Sequence, residues 1–161
     1  MSIYVSREDA INRVIFFSRI TKPLVFDAPI VDIARIECVE CKGITIGPHF
    51  RVSSCTKLVF EGCSFDSISR CPALKYSHTL SFRSCGLTNV SPFAETRCKV
   101  LDLSDNHLLT VRSLHRLTAT RKLYLSGNEQ LRSLNISLPT LRGIDISNTG
   151  ITNLACLNNH P

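Results

Sequence analysis

CKVLDLSDN at residues 98–106 and TRKLYLSGN at residues 120–128 carry apolar residues at their fourth and sixth positions and Asn at their ninth. The same frame fits IARIECVEC (33–41), CTKLVFEGC (55–63), SHTLSFRSC (77–85) and LRGIDISNT (141–149). Its fourth position is Ile36, Leu58, Leu80, Leu101, Leu123 and Ile144, at spacings of 22, 22, 21, 22 and 21 residues. Self-similarity at a fixed period of this size marks an architecture of stacked repeats. Six repeats in register decide the fold class.

The chemistry of each position follows from the frame. Apolar fourth and sixth positions separated by a polar fifth predict a short strand with one face buried. The sixth position is Cys38, Phe60, Phe82, Leu103, Leu125 and Ile146; the ninth is Cys41, Cys63, Cys85, Asn106, Asn128 and Thr149. At the ninth, a small polar side chain turns inward to satisfy buried backbone groups of the loop after the strand, which Asn does best. An apolar residue on the return path follows: Phe65, Leu87, Leu108, Leu131 and Ile151. Stacked coils then bury a core that no single repeat could form.

The pattern resembles the leucine-rich-repeat family over roughly residues 30–157, and LDLSDN (101–106) and LYLSGN (123–128) match its consensus almost residue for residue. The 22-residue length, with apolar residues in threes at Val111, Leu114 and Leu117, resembles the subclass of the nuclear protein-phosphatase-1 regulator and the spliceosomal A-prime protein. The resemblance implies an α/β repeat solenoid, a curved right-handed coil. Its concave side would be a parallel sheet and its convex side short 3-10 or extended turns. The departures are Cys or Thr in the Asn position and an extra residue after Asn128.

Residues 1–29 read as an N-terminal cap and 30–161 as the solenoid. Ser6 followed by Asp9 has the look of a capping box, and Ile11, Val14 and Ile15 have helical spacing, so a helix is expected over about 7–18. The alternative there is a degenerate first coil, because Val14 lies 22 residues before Ile36. Leu24-Val25-Phe26 fits a first strand. No cap is visible before Asn158-Asn159-His160-Pro161, which leaves an open apolar edge. That edge reads as a boundary within a longer chain, or as a surface covered by a partner or a second copy.

Composition excludes several classes. Hydrophobic content of 43% and charged content of 20% fit a globular chain. The start lacks the longer apolar run of a secretory signal, and no segment approaches the ~20 apolar residues of a membrane span. The patterns Asn89-Val-Ser91 and Asn135-Ile-Ser137 bear on glycosylation only in a secreted chain. The repeat frame absorbs seven of the eight cysteines, leaving Cys156 without a position. Cys38-Val-Glu-Cys41 has a metal-ligand spacing, but no second pair accompanies it, so the cysteines read as small core hydrophobes. Free thiols place the chain in a reducing compartment, the cytosol or nucleus. His49, His78, His107, His115 and His160 form no catalytic grouping, and no nucleotide-binding or hydrolase motif is present. No enzyme activity, metal, cofactor or small-molecule substrate is expected.

What remains is a binding surface. The expected concave face offers Glu37, Glu61, Arg83, Asp102, Asp105, Tyr124 and Asp145, with Tyr124 its one aromatic and best hot-spot candidate. Just before the strands stand Arg35, Lys57, His78, Lys99, Arg121, Lys122 and Arg142, expected to form a basic rim. A mixed-charge groove suits a protein helix better than a phosphate backbone, so a protein partner is expected. The net charge of +6 keeps RNA as the second candidate partner, bound by the rim or through the protein. Resemblance to the A-prime protein implies, as an alternative, a subunit that grips an RNA-recognition-motif protein and assists snRNA binding. A structural spacer in a large assembly is a further alternative.

Overall fold

The computed structural model describes residues 1–53, 55–136 and 138–157. The repeat frame becomes a sheet of parallel strands. Val14–Ser18, Arg35–Val39, Lys57–Glu61, Thr79–Arg83, Val100–Asp102, Lys122–Tyr124 and Gly143–Asp145 lie side by side in sequence order. The register is that of the repeat: Ile15, Ile36, Leu58, Leu80, Leu101, Leu123 and Ile144 are consecutive partners. Fourth and sixth positions point into the core. Cys38, Phe60, Phe82, Leu103 and Leu125 are all fully buried beside them.

The expected helix over 7–18 does not form. Ser6 does cap, accepting from the Glu8 amide while Asp9 accepts from the Ser6 amide, but the turn it starts is only Arg7–Asp9. Asn12 and Arg13 then take left-handed φ values of 51° and 65°. That pair makes the two-residue turn of a hairpin in which Ala10–Ile11 runs antiparallel to Val14–Ser18. The β-branched and aromatic run Val14-Ile15-Phe16-Phe17 favours a strand. Once it pairs with Arg35–Val39, Ile15 enters the core and Phe16 does not.

Leu24–Phe26 is a strand, but of a second parallel sheet rather than the first. That sheet comprises Ile3–Tyr4, Leu24–Phe26, Ile44–Ile46 and Phe65–Ile68. On a third side Pro29–Ile30 pairs with Arg51–Val52. Farther along the chain this side turns helical: Pro72–Tyr76, then the 3-10 turns Ser91–Phe93 and Arg112–Arg116, each packed on the one before. The side away from the first sheet therefore carries strands early and the expected 3-10 turns only later.

Aromatic rings bind the early repeats together. Phe50, Phe26, Phe60, Phe82 and Phe93 form an unbroken series with centroid separations of 5.3, 5.9, 4.8 and 4.8 Å. Such pairs contribute about 0.5–1.5 kcal/mol each beyond the area they bury. The ninth position works as its chemistry requires. Asn106 Nδ2 donates to the Phe82, Leu103 and Ser104 carbonyls, and its Oδ1 accepts from the Cys85 and Leu87 amides. Cys63 and Cys85 offer only a thiol to the carbonyls of Cys38 and Phe60 in the preceding repeat.

The eighth position adds a rule of its own. Arg19, Glu40, Gly62, Ser84, Asp105, Gly127 and Asn148 all have φ between +52° and +72°. Each repeat leaves its strand through a left-handed residue that aims the ninth side chain inward. At Gly127, with φ of 72°, glycine suits the left-handed conformation.

At the far edge Ile144 and Ile146 are only half-buried, and among the described residues no strand covers Gly143–Asp145 from outside. The expected open terminus at 158–161 lies outside the described residues, as does Ser137 of the second Asn-x-Ser pattern. No described helix is long and apolar enough to cross a membrane.

Candidate interaction surface

Pleating sends odd positions of each strand to the solvent face of the first sheet. Phe16, Glu37, Val59, Ser81, Asp102, Tyr124 and Asp145 are consecutive partners and form one row across it. At strand spacing the row is about 29 Å long. Tyr124 is therefore not the only aromatic there. Phe16, 57% exposed, begins the row. Reading residues 7–18 as a helix concealed it, and the signal that reveals it is the repeat period carried back from Ile36 to Ile15.

The charged groups of this face are held in place. Arg35 lies 2.6 Å from Glu37, and Arg83 Nε donates to Asp105 at 2.9 Å, so two expected site residues satisfy each other across adjacent strands. Arg19 and Glu40 repeat that pairing at 2.8 Å. Asp102 accepts from the Ser104 amide and Asp145 from the Ser147 amide and hydroxyl. The Ser147 amide and hydroxyl hold Asp145 below the usual carboxylate range. Glu61, Asp102 and Asp145 form no ion pair among the described residues and leave this face with negative charge to share.

The basic residues divide into two adjoining rows rather than one. Arg35, Lys57 and Lys122 share a row with Thr79, Val100 and Gly143. His78, Lys99, Arg121 and Arg142 stand one residue earlier. The Lys99 amide donates to the His78 carbonyl, Arg121 to Lys99 and Arg142 to Arg121, all at 2.8–2.9 Å. Arg35 is half-buried and tied to Glu37, whereas Lys57, His78, Lys99, Arg121, Lys122 and Arg142 are exposed. Among the described residues Lys57, Lys99, Arg121, Lys122 and Arg142 of this strand-entry edge form no ion pair.

The cysteines serve the core. Cys38, Cys41, Cys63, Cys71, Cys85 and Cys98 are buried, and all seven described cysteines are free thiols. Burial pushes Cys63 and Cys98 up to about 11 and Cys85 up to about 12. A hydrogen bond shared with Cys41 raises Cys38 and lowers Cys41. Among the described residues no cluster of His, Cys, Asp or Glu is arranged to hold a metal ion.

Comparison with protein-family models, with curated proteins and with solved structures returns no match to this chain.

Proposed function

We propose that the chain is a leucine-rich-repeat protein acting as a non-catalytic scaffold that grips one structured protein partner on the concave face of its first sheet. The observation that carries this is the row from Phe16 to Asp145, a continuous face with an aromatic near each end and carboxylates between. Tyr is enriched among the anchors of protein interfaces, and Phe in their buried cores. Phe16 and Tyr124 stand five strands apart, about 24 Å. A helix of about 16 residues spans that distance. Its groove-facing side would carry apolar residues for the two rings and basic residues for Glu61, Asp102 and Asp145. A bare phosphate backbone would meet repulsion from the same three carboxylates.

The test is capture from ribonuclease-treated native extract with wild type and with Phe16→Ser/Tyr124→Ala, both first checked for equal unfolding midpoints. Retention of one protein by wild type and its loss of tenfold or more in the variant supports the reading. Equal retention by both would overturn it.

A further inference from the structure

We propose that the strand-entry edge from Lys57 to Arg142 is a track for a single-stranded polynucleotide, with one base lodged against Tyr76. This does not rest on the protein-binding role of the Phe16–Asp145 row.

The charge comes first. His78, Lys99, Arg121 and Arg142 occupy consecutive rungs fixed by backbone hydrogen bonds, with Lys57 and Lys122 in the row beside them. Among the described residues none of Lys57, Lys99, Arg121, Lys122 and Arg142 is ion-paired, and neither row contains a carboxylate. Rungs stand about 4.8 Å apart, so the like charges repel one another unless a polyanion runs along them.

Tyr76 makes the edge more than a charged line. Its side chain is 62% exposed at the end of the short helix Pro72–Tyr76, an apolar ring that contributes little to the core. Lys75 Nζ lies 5.7 Å and Arg97 Cζ 5.9 Å from its centroid, and the Arg97 amide donates to the Lys75 carbonyl. Beside the ring is a cavity of about 290 Å³, walled by Tyr76, Pro72, Pro92 and Lys75, with Glu95 and Thr96 among its polar lining. Lys75 and Arg70 share Glu95 across this cavity, and Tyr76 and Arg97 stand two residues before His78 and Lys99 of the charged edge. An exposed aromatic flanked by cations at the approach to a line of positive charge is the combination that single strands use. Bases stack on the ring while phosphates follow the cations. A run of acidic residues would satisfy the cations but offers no ring to stack on Tyr76. A duplex keeps its bases stacked away from such a ring.

The test is fluorescence anisotropy of the full chain with a labelled 12-nucleotide oligouridylate. Four phosphate contacts on a single strand give a log–log salt slope of about −2.8, so affinity should fall about 50-fold between 50 and 200 mM salt. Lys99→Glu/Arg121→Glu/Arg142→Glu should lose at least about 100-fold. Tyr76→Ala should lose about tenfold with the salt slope unchanged, while Tyr76→Phe keeps wild-type affinity. All variants are first checked for a wild-type unfolding midpoint. The proposal is overturned by binding that survives the triple charge reversal or that ignores Tyr76→Ala. Displacement by an equal charge of poly-glutamate, or equal affinity for a 12-base-pair duplex, would also sink it.

Discussion

The repeats before Phe93 and those after Cys98 solve one packing problem in two ways. The early repeats use aromatic rings, a second parallel sheet and thiols in the ninth position. The later ones use leucines, 3-10 turns and asparagines. Thiols form weak hydrogen bonds, so the early loops cannot be organised by their ninth residues alone. After Cys41 and Cys63 the strands Ile44–Ile46 and Phe65–Ile68 pair with each other, and Leu24–Phe26 with the first of them, while the loop after Cys85, which has no such strand, is held by Asn106 of the next repeat. Where Asn106 and Asn128 bridge carbonyls and amides of adjacent repeats, the return path needs no ladder. A strong side-chain bridge and a second sheet are thus alternative means of meeting the same backbone requirement.

This contrast can be broken by substitution. Phe60 sits where the rings of Phe26, Phe65 and Phe82 converge, so Phe60→Ala should destabilise the chain by about 4 kcal/mol, the range for large-to-small changes at a well-packed aromatic. Urea unfolding followed by circular dichroism reads this. A loss below about 1.5 kcal/mol would show that the aromatic series does not hold the early repeats.

Asn106→Ala comes next. It strands the Cys85 and Leu87 amides and the Phe82 carbonyl, and should cost about 3 kcal/mol. Cys63→Ala removes a weak donor whose loop is already paired and should cost about 1 kcal/mol. Equal losses at Asn106 and Cys63 would erase the distinction between the two halves.

Much of this was readable from spacing. From Ile36 onward every strand and every core position of the first sheet lies where the 21–22-residue frame puts it, because the frame records contacts between residues about 22 apart. The first strand was hidden because local signals competed. Ser6 and Asp9 do form a capping box, and Ile11, Val14 and Ile15 match helical spacing as well as a strand. Only pairing with Arg35–Val39 decides between them, and that pairing is not local. The second sheet escaped for another reason: Leu24–Phe26 is legible as a strand, but its partner Ile44–Ile46 is a three-residue strand too short for alternation to register, so the sheet they share is not. The proposed binding surface inherited both gaps. Phe16 was lost with the first strand, and the basic residues appear as one row only if the frame's second position (His78, Lys99, Arg121, Arg142) and third position (Arg35, Lys57, Lys122) are read together. The platform at Tyr76 depends on Lys75, Arg97 and Pro92 meeting across adjacent repeats, which no single stretch of sequence displays.

The direct test of the two proposed surfaces is a crossed capture from native extract. It compares wild type, Phe16→Ser/Tyr124→Ala and Lys99→Glu/Arg121→Glu/Arg142→Glu, scoring retained protein and retained RNA separately. Two independent surfaces predict that the first variant loses the protein and keeps the RNA, while the second loses the RNA and keeps the protein. Loss of both by one variant, or of neither by either, would contradict that division.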